Sequence, residues 1–154
     1  MMNPTLTAET LRVPKSKLGD STVPPLLGGK VLQNGLFFDL GEDDELYEGY
    51  GTRATSFPYP QQDNYTRRTE MCEEPVLALE NDFLKAVFLP RLGGRLWSLW
   101  DKTSGRNLVY TNDVIRFSNL ASCNAWFSGG VEWNVGIIGH SPFTNRPLYC
   151  ASLE

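Results

Sequence analysis

Glycine and proline interrupt this chain every few residues, 14 and 10 of them among 154. No window keeps apolar residues at i, i+3, i+4 and i+7 through successive turns, so helix is the minority structure. Brief strands separated by turns remain, and they predict an all-β fold built as an antiparallel sheet or sandwich.

The strand signal is strongest from Val76 onward. In "VLALENDFLKAVFLP" two runs of strand formers flank "END", good turn chemistry, and predict a β-hairpin. "RLWSLW", Arg95 to Trp100, and "NLVY", Asn107 to Tyr110, flank "DKTSGR" with Gly105 and predict a second pair of strands. "VIRF" from Val114 and "AWF" from Ala125 continue the pattern. The earlier chain is looser. "TVPPLLGGKVLQNG", Thr22 to Gly35, suits extended chain and turns, and "LFFDL" runs into five acids between Glu42 and Glu48. Those acids lack calcium-loop spacing and read as a solvated loop. "TSFPYPQQDNYTRRT", Thr55 to Thr69, reads as a loop in which Tyr59 and Tyr65 offer flat faces for recognition.

Composition narrows the partners. Apolar residues at 41% suffice for a core, and 14 Lys and Arg against 18 Asp and Glu leave no basic field for phosphates, so nucleic acid is not an expected partner. No stretch approaches the roughly 20 apolar residues of a membrane span. The N-terminus "MMNPTLTAETLRVPKSK" also lacks an apolar segment behind a basic one, which implies a soluble, cytoplasmic protein without a membrane partner. Cys72, Cys123 and Cys150 are odd in number and lack C-x-x-C spacing, so reduced thiols are expected rather than disulfides or a zinc cage. One histidine cannot build a His-rich metal site, and no Gly-Lys-Ser/Thr phosphate loop or G-x-S-x-G elbow is present, so neither metal nor cofactor is expected.

Two stretches can carry chemistry. In "LPRLGGRLWSLWD", Gly93 and Gly94 let the backbone bend and clear space around Arg95, whose guanidinium can donate paired hydrogen bonds to sugar hydroxyls or a carboxylate. The competing reading is a Gly-Gly bulge at a sheet edge with Arg95 on the surface. In "FSGGVEWNVGIIGHSPF", a short strand would send Val131 and Trp133 to one face and Glu132 and Asn134 to the other. Facing a concave site, Glu132 would serve as general acid or base, its carboxyl raised by the apolar surface of Trp126, Phe127 or Trp133. His140, across the "GIIG" turn, would supply the second proton-transfer group for opening or cleaving a hemiacetal or acetal. Spacing does not say whether the two meet, and a lone histidine beside Ser141 and Pro142 is more often a turn residue hydrogen-bonded to backbone.

"LENDFLKAVFLPRLGGRLWSLWDKTSGRNLVYTNDVI" followed by "AWFSGGVEWNVGIIGHSPFT" resembles a bacterial domain of unknown function often placed ahead of tetratricopeptide repeats, over about Pro75 to Cys150. That family looks like the galactose-mutarotase type of β-sandwich, whose relatives open sugar hemiacetals, bind carbohydrates, or form domains of glycoside hydrolases and lyases. The resemblance implies carbohydrate as the ligand. Arg95 matches its "GGR" block, Glu132 and Asn134 its "GGVEWN" block, and His140 the histidine that follows. The glutamate of mutarotases lies late in the chain, so their catalytic pair is not mapped onto Glu132 and His140.

The expectation is therefore a loop-rich lead-in with short strands over 1–74 and the first part of a mutarotase-like sandwich over 75–154. An incomplete sandwich would leave open strand edges and an uncovered apolar face, which favour self-association. Functionally, a carbohydrate-active or carbohydrate-binding domain is expected, akin to a glycoside hydrolase, lyase or sugar epimerase. Glu132 and His140 would be catalytic, with Arg95, Trp126 and Asn134 binding substrate. The alternatives are a non-catalytic sugar-binding module, or a truncated fragment that completes no site.

Overall fold

The structure is a computed structural model, described for residues 3–22, 59–121, 123–134 and 140–151. The acidic run at 42–48, most of the Pro/Gly segment at 22–35 and the "GIIG" turn lie outside the described residues. Within them every regular element is a strand and every strand ladder is antiparallel. A sheet of five strands runs in chain order, β1 (Thr5–Leu18), β2 (Tyr65–Glu80), β3 (Leu84–Leu89), β4 (Arg95–Asp101) and β5 (Arg106–Asn107). A second sheet pairs β6 (Ser118–Ala121) with β7 (Asn124–Trp126).

β1 and β2 form a ribbon from Thr5 opposite Glu80 to Ser16 opposite Thr69, with a register shift before Leu18 meets Tyr65. The loop expected over Thr55 to Thr69 therefore ends at Tyr65, where β2 begins, and the short strands expected ahead of residue 74 include one of 14 residues. Their polar residues gave no alternation strong enough to announce a strand. What holds them extended is the partner's ladder, and both faces of the ribbon are wet near Thr66–Glu70. β2 runs unbroken through residues 74 and 75. Pro75, opposite Thr10, lies past the last β2–β3 pair at Leu77 and Phe88, so its missing N–H falls where β2 has a single neighbour.

The β2–β3 hairpin forms at "END" as expected. Asn81 Oδ1 accepts from the N–H groups of both Phe83 and Leu84 at 2.8 Å, closing the turn through a side chain. Between β3 and β4 the register slips: Val87 faces Ser98 and Phe88 faces Leu96, which leaves Trp97 as the extra residue of a bulge, only 6% exposed. The strand expected over "NLVY" shrinks to Arg106–Asn107. Asn107 Oδ1 accepts from Leu99 N at 3.0 Å and from Val109 N at 3.3 Å, a side chain standing in for the ladder.

"VIRF" forms no strand. Ile115 makes a lone parallel bridge to Lys15, with Ile115 N donating to Pro14 O and Ser16 N to Ile115 O, both at 2.9 Å. The alternation was real, with Ile115 and Phe117 buried and Arg116 exposed. It reports two plugs under the ribbon, without a second bridge to extend them. There they join Val76, Val87, Leu89, Trp97 and Phe127 in one core, Phe117 meeting Phe127 edge-on at 5.9 Å.

Candidate functional site

Three backbone turns converge at one end of the core. The first joins β3 to β4 and holds Gly93 and Gly94 at φ 70° and 64°. Gly93 N–H donates to Arg146 O at 2.9 Å, and a Cβ there would lie 2.6 Å from Thr144 O, so only glycine lets this turn sit against residues 143–146. The glycines thus lie in a packed hairpin turn, and the competing expectation of a surface Arg95 fails with the edge bulge. The second turn, Gly129–Gly130, presses on β4: a Cβ on Gly130 would collide with the Leu96 carbonyl. Val131 then bridges Leu96 through N–H···O contacts of 2.8 and 3.2 Å. That single bridge is all that forms of the strand expected over 131–134. It fixes where the next side chain, Glu132, enters. The third segment runs from His140 to Arg146.

These turns bring the expected acid and base together. His140 Nδ1 lies 2.7 Å from Glu132 Oε2, and Trp126 Nε1 donates to the same oxygen at 3.1 Å. The Trp126 and His140 rings lean on each other, 5.0 Å between centroids at 41°. The Glu132 side chain is 12% exposed and that of His140 35%, so the pair reaches the surface through the imidazole.

Arg95 lies beneath them, 2% exposed. Nη1 donates to Phe127 O at 2.6 Å and Gly129 O at 3.0 Å, and Nη2 to Thr144 Oγ1 at 3.0 Å. Its guanidinium carbon sits 3.8 Å from the centre of the Phe127 ring. Arg95 therefore fastens the 127–129 and 144 segments to β4. Asn134 is also spent on backbone: it is exposed, and its Oδ1 accepts from Ser141 N at 2.8 Å, tying residue 134 to residue 141. Trp133 Nε1 donates to Gly94 O at 2.8 Å. Thr144 and Phe143 were not singled out from sequence, and Trp133 was named only as apolar surface beside Glu132, since a Thr in a Ser/Pro turn and two aromatics carry no acid–base signature.

Charge in the site is settled by donors. Burial raises the Glu132 carboxyl, but Thr144, Trp126 and His140 outweigh it through hydrogen bonding, and the His140 charge adds to them, so the group is held below the usual glutamate range. Thr144 approaches the carboxylate without reaching ordinary hydrogen-bond geometry, and the two formed bonds to Oε2 are the firmer cause. The aromatic neighbours thus fail to raise Glu132, because Trp126 turns its N–H toward it. Burial lowers Arg95 to about 10, with Glu132 pulling the other way, so the guanidinium is a cation at neutral pH. Among the described residues no group of three or more His, Cys, Asp or Glu converges as metal ligands, and no helix is long and apolar enough to cross a membrane.

Residues 52–152 match a protein family described as a domain of unknown function (DUF5107). The fold is similar to that of a TPR-domain containing protein from Parabacteroides distasonis, with a TM-score of 0.64 and 23% identity over 94% of this chain. The chain spans 21% of the length of that protein.

Proposed function

This chain belongs to the DUF5107 family, whose description assigns no activity, and from that premise we propose a carbohydrate-directed domain in which His140, oriented by Glu132, exchanges a proton with a sugar hydroxyl. The contact of 2.7 Å between His140 Nδ1 and Glu132 Oε2 carries the reading. An ionised carboxylate at that distance holds the Nδ1–H tautomer and makes Nε2 the basic nitrogen, the arrangement by which carboxylates orient catalytic histidines. Glu132 then orients rather than transfers protons itself, a role suited to its lowered carboxyl. Arg95 acts as a positioning residue, clamping the backbone that carries Trp126 and Glu132.

Carbohydrate as the ligand class is supported by the galactose-mutarotase resemblance of the "GGR" and "GGVEWN" blocks and by the antiparallel sheet, which we take for part of a sandwich of that type. The reduced-thiol composition supports a cytoplasmic setting. A non-catalytic sugar-binding module is the second reading, favoured by the half-exposed ring of Trp133 next to Glu132, which offers a flat face to a sugar ring.

His140 is the single histidine of the chain, so its imidazole Cε1–H gives one NMR signal. Titration with D-glucose, D-galactose and D-mannose is expected to move that signal saturably for at least one sugar. Turnover by polarimetry then separates the two readings. If no sugar moves the signal up to its solubility limit, the carbohydrate assignment is wrong.

A further inference from the structure

Glu132 and His140 come from two segments, each with its own anchors. The Glu132 segment is held to β4 by the bridge from Val131 to Leu96 and to the preceding turn by Trp133 Nε1, which donates to Gly94 O at 2.8 Å. His140 precedes a turn that closes on itself. Thr144 N donates to Ser141 O at 3.1 Å, Phe143 N to Ser141 Oγ at 3.2 Å and Arg146 N to Phe143 O at 3.0 Å. Gly93 N anchors that turn through Arg146 O. The segments then meet through side chains at neighbouring positions. His140 Nδ1 approaches Glu132 Oε2 at 2.7 Å, and beside it Ser141 N donates to Asn134 Oδ1 at 2.8 Å, a bond that spans seven positions of the chain.

The second of these links bears on the first. Ser141 is 5% exposed, so its N–H is poorly placed to fall back on water and depends on the Asn134 acceptor. The imidazole next to it is 35% exposed and leans on Trp126, 5.0 Å between ring centroids, so ring packing alone leaves it room to turn. A shift of about 1 Å would end the contact to Glu132 as a hydrogen bond. Keeping it requires that the backbone carrying His140 be held as well as the ring, and Asn134 supplies that hold one residue away.

We propose that Asn134 is the positioning residue of this site: by holding Ser141 N–H it fixes the backbone at His140, keeps Nδ1 on the Glu132 carboxylate and leaves Nε2 as the basic nitrogen. The assignment rests on the proton-exchange reading and adds the residue on which the working tautomer depends. Asn134 acts through His140, in place of the substrate contact expected from sequence.

The test reads the His140 tautomer of the intact chain at about pH 9, well above the ordinary imidazole range, from long-range nitrogen–proton NMR correlations of the ring. A neutral imidazole without a partner favours the Nε2–H form, so the Nδ1–H form reports the hold of Glu132. The native chain is expected to be mainly Nδ1–H. Asn134→Ala is expected to lower the ratio of Nδ1–H to Nε2–H about fivefold or more. Asn134→Leu, of similar size but without an acceptor, should do the same, and Asn134→Asp, which keeps an acceptor of the same reach, should restore the native ratio. Asn134 is exposed, so these changes are expected to leave the chain folded. A lower melting temperature in Asn134→Ala and Asn134→Leu with an unchanged tautomer ratio would overturn the proposal, reducing the bond to a support of the turn, and so would a ratio that Asn134→Asp does not restore. A native chain that is mainly Nε2–H would overturn the Glu132-oriented reading itself, and this proposal with it. No sugar enters these spectra, so the carbohydrate assignment is judged separately by the titration of His140.

Discussion

At the scale of single residues, Glu132 and Arg95 carry the most consequence, and only part of their roles was legible. Sequence supplied the residue types and the two Gly-Gly pairs, whose positive φ values the structure requires. It could not give direction: whether Arg95 faces solvent or core depends on the bulge at Trp97, which no local pattern announces. Arg95 donates to two carbonyls and a hydroxyl from one planar fork, and lysine cannot reproduce that geometry. Arg95→Lys is therefore expected to cost about 2 kcal/mol or more, read as a fall in the urea midpoint at unchanged slope. Unchanged stability would mean that the fork is ornamental.

Glu132 makes a different prediction, set by pH. Its carboxyl is lowered in the folded chain, so the folded state binds that proton less readily than the unfolded state. The resulting stabilisation is complete above the ordinary glutamate value, about 4.3, and is lost as pH falls through the lower folded value. Melting curves of the native chain and Glu132→Gln should differ most near neutrality, where the variant is less stable. They should converge as the solution is acidified. A gap that stays constant down to low pH would show that the carboxylate charge is not what stabilises the turn.

Among the elements, hairpins closed by local chemistry were readable and contacts made at a distance were not. "END" announces its own turn because Asn81 caps it from within. β1 gave no such notice: its extended state depends on β2, which is separated from the end of β1 by 46 residues. "VIRF" had strand alternation but only a single bridge at Lys15. The β3–β4 turn can be tested by contrast with the turn after β4. Gly93 and Gly105 have similar φ, 70° and 64°, yet a Cβ on Gly93 would meet Thr144 O at 2.6 Å, while one on Gly105 meets nothing within 4 Å. Gly105→Ala is expected to cost about 1 kcal/mol from backbone conformation alone. Gly93→Ala should cost at least twice that, because residues 143–146 must also move, and it should weaken any sugar-dependent shift at His140. Equal costs at the two positions would mean that the approach of Gly93 to Thr144 is not a tight constraint.

For the whole molecule, the near-continuous apolar runs "LKAVFL" and "RLWSLW" already indicate a sheet with two apolar faces, since a one-sided sheet would alternate. One face is covered by Ile115, Phe117 and Phe127. On the other, Leu6, Leu79, Ala86 and Leu99 line up across four strands, next to Leu77, Phe88 and Leu96. Leu6 and Leu79 are 49% and 42% exposed there. Sequence could announce that this face is apolar but not what lies over it, because covering is a property of contacts distant along the chain. An apolar sheet face of this extent binds hydrophobic dyes and associates at high concentration unless another layer shields it. Replacing the facing pair by Leu6→Lys with Leu79→Glu puts opposite charges across one rung of the β1–β2 ladder, so the strands themselves should tolerate the change. The folded native chain is expected to enhance dye fluorescence and to sediment with concentration dependence, and the double variant to lose both while melting within a few degrees of it. If the native chain binds no dye and stays monomeric at every concentration, this face is shielded in solution and carries no association.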